Sequence, residues 1–163
     1  MPSSPARSSP ARARPRVASP RSPSATEIAD YAGASVLLTA EDFHDLGLAY
    51  FRRAAADGVR HAEIFFDPQT HTDRGVPFAT VAKGLFSAMD AAQRTLNVSS
   101  KLILCFLRHL DEDAAFATLK MAEPYLDRIA GVGLDSSEVG HPPSKFARVF
   151  KRAREMGLKL SVF

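Results

Sequence analysis

The sequence predicts an α/β fold with a parallel sheet, in which four helices alternate with four strands. That is half of a (β/α)₈ barrel or a small open sheet. Three observations point there. The hydrophobic period switches repeatedly between about 3.6 and strand-like from Glu27 onward. The strand segments, such as Leu102 to Leu107, are apolar on both faces, as buried parallel strands are. Each strand also stops at a charged turn that opens the next helix, the arrangement of right-handed crossovers.

The elements follow in order. Thr39 reads as an N-cap with Asp42 three residues on, a variant capping box, and Phe43, Leu46, Tyr50, Phe51 and Ala54 share one face until Asp57-Gly58 ends the helix. His61 to Phe66 is the first strand, closed by Asp67-Pro68. Pro77 suits the first turn of a helix whose apolar face runs through Phe78, Val81, Leu85, Met89 and Ala92. Lys101 to Leu107 is the second strand. Asp111 caps a helix through Ala115, Leu119 and Ala122 that stops near Pro124, and Ile129 to Leu134 is the third strand. Pro143 or Ser144 opens a helix bearing Phe146, Val149, Phe150 and Ala153, which Gly157 terminates before a last strand over Leu158 to Phe163.

Composition bounds the function. The chain has 163 residues, 45% hydrophobic and 24% charged, ordinary for one globular domain. Its apolar runs are of strand length, well short of a bilayer crossing. Residues 1 to 26 form a Ser/Pro/Arg-rich tail with five arginines, no acid and nothing large and apolar to bury, so disorder is expected there. Its prolines argue against the amphipathic helix of a mitochondrial leader. Clustered arginine attracts polyanions, but nucleic acid is not the expected partner of the folded part, residues 27 to 163, which carries 16 basic and 18 acidic groups. The lone Cys105 cannot form an internal disulfide; it reads as a buried structural thiol in a reducing compartment, and the expected location is cytoplasmic.

Chemistry is expected at the strand ends, where parallel α/β folds bind ligands. Those ends carry Asp67, Arg108 with His109, and Asp135 through Glu138. Arg108 is expected to be the structural partner of Asp67, Asp135 or Glu138, and His109 a turn residue. The five histidines show no His-x-His and no pair three or four apart, and there is no second cysteine, so no local cluster supplies a metal site. Ser136-Ser137 lacks the flanking glycines of a nucleophile elbow, and Gly131-Val132-Gly133 lacks the third glycine of a dinucleotide fingerprint.

The segments YAGASVLLTAEDF from Tyr31, HAEIFFDPQTHTDRGV from His61, LCFLRHL from Leu104 and GVGLDSSEVGHPPSKF from Gly131 closely resemble the adenosine/adenine deaminase family. The Asp-Pro-Gln-Thr-His-Thr and Asp-Ser-Ser-Glu turns are most similar to its adenine deaminase branch. The resemblance covers Glu27 to Leu160. It implies a zinc-dependent TIM barrel of the amidohydrolase type acting in purine salvage, in which a metal-activated water adds to C6 of a purine and ammonia leaves.

Family members carry His-x-His after strand one and His-Ala-Gly-Glu after strand five. Here the tail stands before the first segment, and the sequence reads Ser161-Val162-Phe163 at its end. The expectation is therefore an incomplete (β/α)₈ barrel, strands two to five with their helices, which binds no zinc and is inactive alone. Asp67, Asp135, Ser136 and Glu138 are expected to be substrate-binding, with Arg108 and His109 structural on the rim. An adenosine deaminase fragment, a non-catalytic interaction module and a polyanion binder working through the tail are the alternatives. Topology adds a last expectation, since the two open edges invite self-association and should leave Phe65, Phe66, Ile103, Phe106, Val132 and Leu134 partly wetted.

Overall fold

A computed structural model describes residues 33–161; the tail predicted over residues 1 to 26, and Val162 with Phe163, lie outside the described residues. Helix α1 (Ala40–Ala56) begins at the predicted box. The Thr39 hydroxyl accepts from the Asp42 N–H at 3.2 Å, and the Asp42 carboxylate accepts the main-chain N–H groups of Thr39 and Leu38 at 2.7 and 3.0 Å. Those backbone donors, with the Thr39 hydroxyl, hold the Asp42 carboxyl below its ordinary range. Strand β1 (His61–Phe66) is followed by one short helical turn, α2 (Gln69–Thr72), and by α3 (Phe78–Leu96), which Asn97 ends in the left-handed region at φ 55°.

Strand β2 runs over Ser99–Leu107, two residues earlier than predicted. Asp111 caps α4 (Glu112–Ala122) by accepting the Ala114 N–H at 2.8 Å, and Pro124 turns the chain through a 3₁₀ segment into β3 (Ile129–Asp135). The helix predicted to open at Pro143 or Ser144 starts later. Pro143–Phe146 is a 3₁₀ turn, and α5 (Ala147–Glu155) follows it. No side chain of its own caps α5; Glu112 of α4 does so instead, accepting the N–H groups of Arg148 and Val149 at 2.7 and 3.0 Å. Burial raises the Glu112 carboxyl, but the hydrogen bond from Arg148 and these two N–H groups outweigh it and leave the pKa lowered. Within the described residues the last strand, β4, is only Lys159–Leu160.

The four strands are all parallel and lie in the order β1-β2-β3-β4. Their two faces differ. Leu102, Leu104, Phe106, Val132, Leu134 and Phe66 point toward the helices and belong to one buried core with Phe43, Val81, Phe86 and Val149. On the other face, a Cβ at Gly133 would meet Cys105 Sγ at 3.1 Å and Ile103 Cγ2 at 3.6 Å, so Ile103, Cys105 and Gly133 lie side by side there. A Cβ at Gly131 would stand 2.6 Å from the Lys159 carbonyl oxygen. The Gly-x-Gly pair is thus a packing device that lets β4 approach β3.

This division overturns part of the wetting expectation. Phe66, Ile103, Phe106, Val132 and Leu134 are buried, because all but Ile103 face the helices, and Ile103 is covered by its neighbours on the opposite face. Phe65 alone of that set is wetted, at 38% exposure. Leu46 and Tyr50 of the predicted α1 face are also half-exposed, at 53% and 48%, and with Phe65 they border an apolar cavity of about 330 Å³ beside β1. That strand has no second neighbour among the described residues.

Helices α1 and α3 pack most intimately at Gly84, where an added Cβ would clash with the Ala40 carbonyl and lie 2.5 Å from Phe43 Cβ. Gly84→Ala is expected to destabilise the chain by about 1–3 kcal/mol through overpacking, outweighing its better helix propensity. Urea unfolding followed by far-UV circular dichroism measures the shift, and an unchanged or raised midpoint would contradict this packing.

Candidate active-site rim

At the C-terminal end of the sheet the three strand-end segments meet. Asp67 follows β1, Arg108 and His109 follow β2, and Asp135 to Glu138 follow β3. Arg108 is 2% exposed and reaches across to the β3 loop. Its Nη2 lies 3.0 Å from Glu138 Oε1, its Nη1 donates to the His141 carbonyl at 3.4 Å, and its main-chain N–H donates to the Asp135 carbonyl at 2.8 Å. Lys145 closes the loop by donating from Nζ to the Arg108 carbonyl at 2.9 Å. Of the three carboxylates expected to partner Arg108, the structure selects Glu138.

Ser136 is exposed at the tip of β3 with φ 79°, a left-handed backbone that costs a non-glycine residue about 1–2 kcal/mol. Two contacts hold it there. Its N–H donates to Asp135 Oδ1 at 2.6 Å, and its hydroxyl lies 2.9 Å from His109 Nδ1. His109 is thus tied to the Asp-Ser-Ser-Glu turn.

Asp67 and Asp135 come close to one another at the strand ends. Desolvation, then the charge of Asp135, then a hydrogen bond between the two carboxyl groups push the Asp67 pKa up to about 7. Asp67 Oδ1 is inaccessible to solvent and has no hydrogen-bond partner. Burial raises the Cys105 thiol, and the charges of Asp67 and Asp135 raise it further, so Cys105 stays a thiol beneath the pair.

Two supporting residues carried no sequence signal. Gln69 is 3% exposed, and its Oε1 accepts the Leu107 N–H at 2.9 Å, tying the turn after β1 to the end of β2. Lys145 binds the loop from the far side. No group of three or more His, Cys, Asp or Glu side chains suited to a metal ion occurs among the described residues. With Cys105 held as a thiol and Asp67 inclined to keep its proton, the rim residues do not fit zinc, which takes deprotonated ligands.

The adenosine deaminase family model matches residues 26–163. This chain belongs to the adenosine deaminase family. It is 68% identical over 130 residues to an adenine deaminase of Caulobacter vibrioides, covering 80% of this chain and 38% of the relative. Among solved structures, an adenine deaminase from Arthrobacter aurescens matches with a TM-score of 0.80 and 47% identity, over 84% of this chain and 42% of that one. An amidohydrolase from Burkhoderia ambifaria with bound zinc matches with a TM-score of 0.75 and 25% identity, over 85% of this chain and 43% of that one. The chain therefore spans less than half the length of each of these proteins. Its four alternating β/α units are consistent with an incomplete barrel.

The raised Asp67 pKa sets a pH dependence. Between pH 3.8 and about 7 the folded chain holds a proton that the unfolded chain has released, so the Asp67 contribution to stability falls as pH rises through this window. Relative to Asp67→Asn, the wild-type urea midpoint should decline from pH 4 to pH 8. Parallel pH profiles for the two proteins would show that Asp67 ionises normally.

Proposed function

We propose that this chain supplies strands two to five, and with them part of the substrate rim, of a zinc-dependent adenine deaminase. The reaction is hydrolysis of adenine to hypoxanthine and ammonia, in purine salvage in the cytoplasm. The observation that carries this reading is the polar set Asp67, Asp135 and Ser136 at the strand ends, in a chain 68% identical to an adenine deaminase. Among the described residues no helix is long and apolar enough to cross a membrane.

The chemistry open to these residues is recognition. A purine base carries ring N–H and exocyclic N–H donors beside ring-nitrogen acceptors, and an Asp67 carboxyl inclined to keep its proton can both donate and accept. The Ser136 hydroxyl adds a further donor or acceptor. Glu138 is engaged by Arg108, so its part is to fix the turn that presents Ser136. The rim residues bind and orient. The metal and the proton-donating glutamate of the family belong to segments other than the described residues, so isolated residues 33–161 are expected to bind no stoichiometric zinc and release no ammonia from adenine.

A second reading, self-association through the open edges, is favoured by the half-exposed Leu46, Tyr50 and Phe65 beside β1. It is compatible with the first.

The decisive experiment replaces the matching segment of the Caulobacter vibrioides adenine deaminase with residues 33–161. The chimera should deaminate adenine within about tenfold of the parent and faster than adenosine. Asp135→Asn in that chimera should lower kcat/KM for adenine by about tenfold or more, the scale of one charge-assisted hydrogen bond. A folded, zinc-loaded chimera without adenine turnover, or one preferring adenosine, would contradict the reading.

A further inference from the structure

Three serine–histidine contacts occur among the described residues, and they are not equivalent. His44 Nδ1 meets Ser87 Oγ at 2.9 Å, with the serine inside α3. His61 Nδ1 meets Ser99 Oγ at 2.7 Å, but the Ser99 hydroxyl proton is given to the Arg60 carbonyl at 3.2 Å. A hydroxyl that donates elsewhere must accept from the imidazole, which leaves it no more nucleophilic than a free serine.

The third pair differs from the second in its serine's hydroxyl and from the first in its serine's backbone. His109 Nδ1 and Ser136 Oγ are 2.9 Å apart, and among the described residues the Ser136 hydroxyl has no other hydrogen-bond partner. In the tautomer protonated at Nε2, the ring nitrogen accepts the hydroxyl proton, the polarity a general base requires. Ser136 sits directly after a parallel strand, in a left-handed conformation at φ 79°, which lifts its side chain to the exposed rim. That is the backbone device of a nucleophile elbow, reached without the flanking glycines. The Asp135 carboxylate fixes it by accepting the Ser136 N–H, and the buried Arg108 holds the rest of the loop.

We propose that Ser136 is a nucleophile and His109 its general base, and that the pair takes acyl groups from small activated carboxylic esters. Ser136 Oγ attacks the ester carbonyl carbon while His109 Nδ1 takes the hydroxyl proton. The C–O bond to the alcohol breaks, and the alcohol leaves with that proton, giving an acyl-serine. Water, deprotonated by the same imidazole, then releases the carboxylic acid and restores the serine. No redox change is involved, and water is the only co-reactant. The proposal is independent of the adenine reading, because it needs neither a purine nor a metal.

The test uses the whole chain with two probes. A fluorophosphonate should add once per chain, fluoride leaving as the phosphorus–oxygen bond forms, and peptide mapping should place the adduct on Ser136. His109→Gln keeps a hydrogen-bonding group beside Ser136 but cannot take the proton, and it should slow labelling at least tenfold. With p-nitrophenyl acetate, the wild type should release nitrophenolate with an acetyl group trapped on Ser136, and Ser136→Ala should lose that adduct. Absence of an adduct on the wild type would overturn the proposal, which makes the result independent of how the variants fold. So would labelling spread over Ser87, Ser99 and Ser136, an unchanged rate in His109→Gln, or undiminished ester hydrolysis in Ser136→Ala, which would mean an imidazole acts alone.

Discussion

The rim depends on one buried cation. Arg108 extends from the end of β2 with almost no solvent contact, and its charge is matched by Glu138 on the loop that follows β3. The same residue's main chain accepts from Lys145 and donates to Asp135, so one residue links β2, the end of β3, the loop and the turn that leads into α5. A guanidinium taken out of water demands partners on several sides. Two such partners, the Glu138 carboxylate and the His141 carbonyl, belong to the loop, so satisfying the cation constrains the loop's path. The left-handed Ser136 and its contact with His109 are set within that path.

A second constraint lies in the sheet, whose faces do different work. The helix-facing side chains fill the core and supply its stability, whereas Ile103, Cys105 and the two glycines leave the other face narrow and low. Asp67 and Asp135 meet at the strand ends, where desolvation of Asp67 and the neighbouring Asp135 charge raise the Asp67 pKa. Residues that hold the fold together are thereby kept apart from residues that can meet a ligand.

Much of this was legible in the sequence, because local rules sufficed. The Thr39 and Asp42 box and the Asp111 cap are fixed by contacts a few residues long, the strands at His61, Lys101 and Ile129 are marked by local apolar runs, and the structure has them. The start of α5 was not legible, since its cap comes from Glu112 in another helix. Nor was the choice of Glu138 over Asp67 and Asp135 as the Arg108 partner, which depends on the route of a loop. The wetting of the sheet was misjudged because continuous apolar runs do not reveal which alternate residues meet the helices. Gln69 has no pattern around it, and the left-handed backbone of Ser136, within a turn the sequence did mark, was not legible because that conformation ordinarily falls to glycine.

The central claim is that Arg108, through its charge and its bonds to the β3 loop, holds the Asp-Ser-Ser-Glu turn in place. Amide hydrogen exchange of the whole chain, compared between wild type and Arg108→Met, tests it most directly. Protection within residues 136–141 should fall at least tenfold in the variant while Leu104 and Val132 in the strand centres keep theirs. Unchanged exchange across the loop, or an equal loss throughout the sheet, would contradict it.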